Sequence, residues 1–264
     1  MFMRKYGMKE SLKISIVTVC YNSERTIVDT LKSVKNQTYK NIEHIIIDGK
    51  SNDETMSIVK SFISQCNHIS YKVVSEKDKG IYDAMNKGIA LATGDIIGIL
   101  NSDDLLFDNN VLNDIILLFE QKGCDSLYAD VEFVNQEATR IIRKWESSNF
   151  IPGSFKKGWH PPHPSFYVKK SVYDRYGGFN IDLKVSADFE LMLRFLERYC
   201  VSTTYLPKTV VKMRYGGEST GSIKSIIEGN KNIMKAFRIN GIPVSRLYPI
   251  YRLLPKIIQF IKRS

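Results

Sequence analysis

Apolar and polar positions alternate along this chain in blocks of two kinds. Ile14-Ser15-Ile16-Val17-Thr18-Val19-Cys20, Ile42 to Ile47, residues 69–74 and Ile96-Ile97-Gly98-Ile99-Leu100 are short runs rich in β-branched residues. Runs of that length bounded by polar clusters predict buried strands. Between them lie segments with helical periodicity, over about 23–36 (Ile27, Leu31 and Val34 on one face), near 53–64 and near 81–93. Strand–helix alternation of this kind predicts a mostly parallel α/β sheet with helices on both faces. Beyond residue 120 the pattern loosens. Ser126 to Val134 predicts one or two strands, Ser165 to Val168 another, Ala187 to Tyr199 a helix, and 201–205 and 209–214 two more strands. Two helical segments close the chain, about 222–238 and 248–263.

The run 96–100 ends in Asn101-Ser102-Asp103-Asp104. Two adjacent carboxylates delivered to the end of a core strand repel each other unless a cation shares them. Hard cations take oxygen ligands, often one or two carboxylates plus substrate phosphates. In open α/β sheets ligands bind beyond the carboxyl ends of the strands. The bare chemistry is therefore that of a metal–diphosphate site, or of an Asx-rich turn capping the next helix. Rival nucleotide motifs fail. Gly49-Lys50-Ser51 would close a P-loop only with glycine at position 44, which is histidine, and no G-x-G-x-x-G follows the first strand.

Three further stretches carry a resemblance. The first strand runs into Tyr21-Asn22-Ser23-Glu24, and the second ends in Asp48-Gly49-Lys50-Ser51-Asn52-Asp53. Ser75-Glu76-Lys77-Asp78-Lys79-Gly80-Ile81-Tyr82-Asp83-Ala84-Met85-Asn86-Lys87-Gly88 opens the third helix. In order and spacing these, with Asn101 to Asp104, resemble the inverting family 2 glycosyltransferases of bacterial O-antigen and capsule synthesis, over roughly residues 12–215. The resemblance implies a GT-A, Rossmann-like fold and a hexosyltransferase using a UDP-sugar with Mn²⁺ or Mg²⁺. It implies nucleotide contacts from Thr18, Tyr21, Asn22, Asp48 (to uracil), Asp78, Lys87 and Asp103 (to ribose), with Asp104 as the metal ligand. Lys50 and Lys77 stand where the family often has a small residue and a proline.

An inverting transfer also needs a general base for the acceptor hydroxyl. Asp188 resembles the family's acidic pair at a helix start, although Ala187 replaces its usual glutamate. Glu190 is the alternative, but two residues on a helix face about 200° apart, so only one enters a cleft. The segment 144–164 is irregular and rich in aromatics, Gly and Pro, and ends in Trp159-His160-Pro161-Pro162-His163-Pro164. Its rigidity predicts a binding loop. His163 is expected in the acceptor cleft, and Trp159 stacks on an acceptor sugar or packs in the core. No Cys/His ligand set accompanies these histidines.

Charge divides the chain. Residues 1–207 hold 26 Lys/Arg and 26 Asp/Glu, whereas residues 208–264 hold twelve basic and two acidic residues, the whole net charge of +10. The last helical segment aligns Ile250, Leu253, Leu254, Ile257, Ile258 and Ile261 on one face, with Arg252, Lys256, Lys262 and Arg263 off it. That pattern suits an interfacial helix on anionic lipid, with a kink at Pro255. No nucleic-acid motif competes. The domain expectation is a catalytic body over 1–215 (nucleotide-sugar half 12–110, acceptor half 120–215) and a basic helical segment over 216–264. With no apolar run near 20 residues, no leader pattern and four scattered cysteines, a cytoplasmic enzyme peripheral to the inner membrane face is expected. Its acceptor would be a lipid-linked saccharide of the undecaprenyl-diphosphate type. A non-catalytic sugar-nucleotide binder and a transferase acting on a soluble or protein acceptor are the alternatives. A processive synthase lacks its membrane spans and Gln-x-x-Arg-Trp motif here. The donor sugar and the oligomeric state are left open.

Overall fold

The computed structural model describes residues 11–216 and 223–249. Strands β1 (Ile14–Cys20), β2 (Ile42–Asp48), β3 (Ser70–Ser75) and β4 (Ile96–Ile99) alternate with helices α1 (Ile27–Lys35), α2 (Thr55–Ser64) and α3 (Ile81–Leu91). They pair in parallel in the order β3-β2-β1-β4. The chain winds outward from β1 to β3, then returns past β1 to lay down β4. The strand order thus reverses between β1 and β4, the place where an α/β sheet opens a crevice. Every residue of β1, β2 and β4 is buried, as strands covered on both faces must be. The pleat sends Ile14 and Ile16 into one core layer and Val17 and Val19 into the other.

The second half extends the same sheet. It contains β5 (Leu105–Leu106), α4 (Val111–Lys122), β6 (Ser126–Val134), β7 (Ile141–Trp145), β8 (Tyr167–Lys169), α5 (Lys170–Tyr176), α6 (Ala187–Leu193), β9 (Thr203–Arg214) and α7 (Ile223–Ile239). β8 runs antiparallel between β4 and β6, β9 joins β6 in parallel, and β5 and β7 edge the sheet. The mixed, mostly parallel sheet flanked by helices is the architecture that the periodicity predicts.

Three details differ. The two strands expected over 201–214 are one, because Pro207 and Lys208 are accommodated in a bulge where the register jumps from Leu206 to Thr209. The helix expected to reach Tyr199 is α-helical only to Leu193 and continues as a π-helical turn, Arg194–Arg198. Cys20, Cys66 and Cys124 are buried as expected, but Cys200 is exposed.

Helix α3 approaches β1 so closely that a Cβ on Gly88 would lie 2.2 Å from Val17 Cγ1. Only glycine there lets the helix rest its backbone on the sheet. α7 packs on α6 and places Ile233, Ala236 and Phe237 in the core that holds Phe189, while Tyr248 is buried edge-on to Phe237. The start of the basic segment is therefore packed into the body. The amphipathic run from Ile250 to Ile261 lies outside the described residues.

Candidate active site

The carboxyl ends of β1, β2 and β4 converge on one edge. Three non-glycine residues there adopt left-handed backbone: Asn22 (φ 49°) after β1, Lys50 (φ 65°) after β2, and Ser186 (φ 68°) before α6. Such residues cost of order 1–3 kcal/mol and persist where the surroundings over-determine them. The surroundings do so here. Asn22 N–H donates to Ser51 Oγ (2.8 Å), Asn52 N–H to Asn22 Oδ1 (3.0 Å), Ser23 N–H to Thr55 Oγ1 (2.7 Å) and Glu24 N–H to Asp53 Oδ2 (3.1 Å). The loops after β1 and β2 therefore form one unit. A Cβ on Gly49 would sit 3.1 Å from Asp78 Oδ2 and 3.4 Å from a Tyr21 ring carbon. Tyr21, Gly49 and Asp78 thus meet on one rim, with Tyr21 62% exposed.

Asp48 closes β2 with its carboxylate fully buried. It accepts from Ser51 Oγ (2.5 Å) and Ser75 Oγ (2.6 Å), and from the Ser51 N–H at 3.2 Å to each oxygen. Its lone pairs are spent within the protein, so a uracil N–H reaches it only if one serine hydroxyl turns away. Lys87 is held by Asp78, Glu76 (2.8 Å) and Asp83 (3.6 Å), and the Asp78 and Glu76 carboxylates push its ammonium pKa up. Lys87 neutralises the Asp78 loop. Thr18 belongs to neither loop: it is fully buried two residues before the end of β1, where its hydroxyl pairs with His44 Nε2 at 2.9 Å. The expected nucleotide contact from Thr18 is not supported.

Across the crevice, the Asn101–Asp104 turn is tied to β1 by Ser23 Oγ and Ser102 Oγ (2.8 Å). Thr30 Oγ1 donates to the Ser102 and Asp104 carbonyls (3.0 and 2.7 Å). Two acceptors in this turn, Asn101 Oδ1 and Asp104 Oδ1, are buried with no hydrogen-bond partner. Burial pushes the Asp104 carboxyl well above its usual range, and the Asp103 charge adds to the effect; burial likewise raises Asp103. Arg214 opposes both shifts. It is 4% exposed at the end of β9 and donates to Asp103 O, Gln136 O and Asp29 Oδ2, each at 2.7 Å. Orphaned carboxylate and amide oxygens beside a second carboxylate fit a hard cation. Asp104, the expected metal ligand, is sealed from solvent, and Asp103, the expected ribose contact, is the part-exposed carboxylate. Among the described residues no group of three or more His, Cys, Asp or Glu is gathered as a metal site. Oxygens of a bound substrate would have to complete any coordination sphere here.

Asp188 opens α6, half-buried, and accepts a hydrogen bond from Tyr82 at 3.2 Å. Burial pushes the His163 imidazole below its usual pKa and the Asp188 charge acts against that, which places the two side chains in electrostatic reach. Glu190, the alternative base, is engaged within the fold. It is 1% exposed, paired with Arg194 (3.0 Å) and bonded by Asn240 (3.0 Å). Trp159 is half-buried among Tyr128, Phe150 and Phe155, with ring centroids 5.8–6.0 Å apart. Its place is in an aromatic cluster. His160 is wedged between Trp145 and Phe189. Two residues absent from the sequence expectations, Arg214 and Tyr82, are the ones that brace the turn and the base candidate. Arg214 was hidden among the basic residues of the tail, although its place at the end of a predicted strand was a signal.

A family model described as glycosyl transferase family 2 matches residues 15–177. The chain belongs to that family and is a glycosyltransferase. It is 32% identical over 192 residues to an uncharacterised glycosyltransferase of Mycobacterium tuberculosis (strain H37Rv), covering 71% of this chain and 70% of the relative. Among solved structures it resembles Staphylococcus aureus TarS 1–349 in complex with UDP-GlcNAc (TM-score 0.65, 17% identity, 87% of this chain and 72% of that one). Against a longer TarS chain it spans 39% of that chain's length. It also resembles the mannosyltransferase PcManGT from Pyrobaculum calidifontis in complex with GDP-Man and Mn²⁺ (TM-score 0.65, 18% identity, 92% and 70%). These two likenesses establish the fold.

Proposed function

We propose that the protein transfers a hexose from a UDP-sugar, with inversion, to a lipid-linked saccharide in bacterial surface polysaccharide synthesis. The observation that carries the reading is the pairing of two acidic centres on one sheet edge. One is the Asn101–Asp104 turn with its orphaned oxygens. The other is Asp188, joined through Tyr82 to the helix that follows the Asp78 loop. The donor nucleotide lies against Tyr21, Asn22, Gly49 and Asp78, and Asp48 takes the uracil N3–H once a serine hydroxyl yields. A carboxylate suits uracil, whose N3 carries a proton, and not cytosine. The sugar nucleotides named with TarS and PcManGT support a donor of this class.

Asp103, Asp104 and Asn101 would hold Mn²⁺ or Mg²⁺. Such an ion supplies neutralisation of the charge that builds on the departing diphosphate. Asp188 accepts the proton of the acceptor hydroxyl as its oxygen attacks the anomeric carbon. The bond to UDP breaks and its electron pair leaves with the diphosphate. His163 lines the acceptor side next to Asp188. The run of Ile250 to Ile261, with its off-face cations, would bring the enzyme to an anionic membrane where a lipid-linked acceptor resides. No helix among the described residues is long and apolar enough to cross a membrane.

The test is UDP release with a lipid-linked saccharide acceptor across a panel of UDP-sugars. Asp188→Asn should keep UDP-sugar binding and lose turnover by about 10²–10⁴-fold. A variant retaining more than roughly a third of wild-type kcat, far outside that range, moves the base elsewhere. Full wild-type activity in EDTA removes the cation from the reading. No UDP release from any donor leaves a non-catalytic sugar-nucleotide binder.

A further inference from the structure

The mechanism above leaves Tyr82 without a task. Its ring stacks on Phe179 (centroids 5.5 Å apart, planes 27° apart), and its hydroxyl donates to Asp188 Oδ1 at 3.2 Å. One turn on, Asn86 grips the same loop in both directions. Phe179 N–H donates to Asn86 Oδ1 (2.7 Å), and Asn86 Nδ2 donates to Phe179 O (2.9 Å). A Cβ on Gly178 would lie 2.2 Å from Asn86 Oδ1, so the contact admits no larger residue. From the other side Arg194 donates to the carbonyls of Tyr176, Gly177 (3.1 Å) and Gly178 (2.5 Å) while pairing with Glu190. The loop before α6 is thus clamped between α3 and α6. Ser186, in left-handed backbone immediately before the helix, aims its first turn. Tyr82 and Asn86 share one face of α3, four residues apart.

From this geometry we infer that Tyr82 is a positioning residue for the general base. It fixes the Asp188 carboxylate through Oδ1 and leaves Oδ2 to take the acceptor's proton, so the orientation of the base is set by the donor-side helix. The inference rests on the reading of Asp188 as the base. The titratable groups facing the Asp188 carboxylate are Tyr82 and His163. Burial, with Asp188 beside it, pushes the Tyr82 phenol up, so it stays protonated as the donor; burial favours neutral imidazole at His163. Losing that bond lets the Asp188 carboxylate turn about its own side-chain torsions, so turnover falls while donor binding does not.

Tyr82→Phe keeps the ring on Phe179 and removes only the hydroxyl. We expect kcat to fall about tenfold, the equivalent of one lost hydrogen bond in the transition state. KM for the sugar nucleotide, UDP binding by calorimetry and the melting temperature should stay at wild-type values, so the loss falls on kcat alone. A fluorinated tyrosine at position 82, which keeps a hydroxyl donor in the same shape, should restore wild-type kcat. Wild-type kcat in Tyr82→Phe, or a fluorinated variant no faster than Tyr82→Phe, with Asp188→Asn inactive, would overturn the positioning role and leave Tyr82 as packing. An active Asp188→Asn would instead refute the base assignment itself.

Discussion

Arg214→Met should loosen the Asn101–Asp104 turn and weaken divalent-cation binding together. Arg214 reaches 185 residues back in sequence to Asp29 and also holds two backbone carbonyls. Methionine fills the stem's volume but donates nothing. The Asp103 carbonyl then loses its charge-assisted donor in a part-buried turn, whereas Gln136 is exposed and water replaces the donor there. Leaving a buried acceptor unmet costs about 1–3 kcal/mol. Asp29 is 41% exposed in its side chain, so water replaces that partner too and the pair adds only about 0–1 kcal/mol. The total, about 1–4 kcal/mol, corresponds to a fall in Tm of roughly 2–16 °C at about 2–4 °C per kcal/mol. The functional effect has its own direction. Among the described residues Arg214 is the cation that opposes the upward push of burial on Asp103 and Asp104. Without it both carboxyls hold their protons to higher pH, and Mn²⁺ must displace them. Calorimetric titration of Mn²⁺ in the presence of UDP should show affinity reduced about tenfold or more, a change of ~1.4 kcal/mol. Arg214→Lys should fall between, since a lysine cannot serve three divergent acceptors. A methionine variant with wild-type Tm and wild-type Mn²⁺ affinity would refute the bracing role.

Two further outcomes follow from other parts of the chain. Glu43, 1% exposed, accepts from Ser15 Oγ, Thr93 N–H and Thr93 Oγ1 and pairs with Lys72. Burial pushes its carboxyl up, but these partners more than offset that and hold it down to about 2, against 4.5 ordinarily. A depressed carboxyl stabilises the fold above its unfolded pKa and loses that contribution as pH falls from near 4.5 toward 2. Glu43→Gln should therefore cost about 2–3 kcal/mol in urea unfolding at pH 7, with the gap closing as pH falls through that window and kcat unchanged; a constant gap at all pH would refute the charge argument. Cutting the chain after Pro249 retains Tyr248 against Phe237. It should leave the fold and activity on a short soluble acceptor intact, while abolishing sedimentation with phosphatidylglycerol vesicles, given about 1 kcal/mol per basic residue lost. Unchanged vesicle binding would remove the membrane role from the tail.

The sheet was legible where one physical rule dominates. β1, β2 and β4 are buried on both faces and must be nearly all apolar, so they stand out as β-branched runs. The two-residue β5 is too short to show any period, and the three-residue β8 was read only as part of a run that starts two residues early, at Ser165. Their pairing is dictated by neighbours brought from elsewhere in the chain. β9 was split at Pro207 because proline cannot join a ladder, and only the paired strand reveals that a bulge absorbs it. The acidic centres were legible as residues but not as an arrangement. Exposure sets Asp103 apart from Asp104, and exposure is a property of what covers a turn. Burial and the Arg194 pair set Glu190 apart from Asp188. Thr18 fails for a simple geometric reason: a side chain two residues short of a strand end lies below the edge, inside the sheet.

What joins the site is long-range in sequence. Ser23 meets Ser102 across 79 residues, Tyr82 meets Asp188 across 106, and Arg214 meets Asp29 across 185. Spacing along the chain carries no trace of such contacts, because each depends on the order in which strands are laid into the sheet. The return of the chain from β3 past β1 to β4 sets Ser102 beside Ser23 and opens the crevice. The later insertion of β8 and β6 beside β4 carries α6 back over α3, and so delivers Asp188 to Tyr82. A reader of motifs finds the donor side, whose residues lie within a few positions of each strand end. The place of Asp188 is assembled by topology, with its carboxylate bonded by a residue of the helix that follows the Asp78 loop. If Asp188 is the base, transfer depends on the packing of α3 against the loop before α6 as much as on either carboxylate.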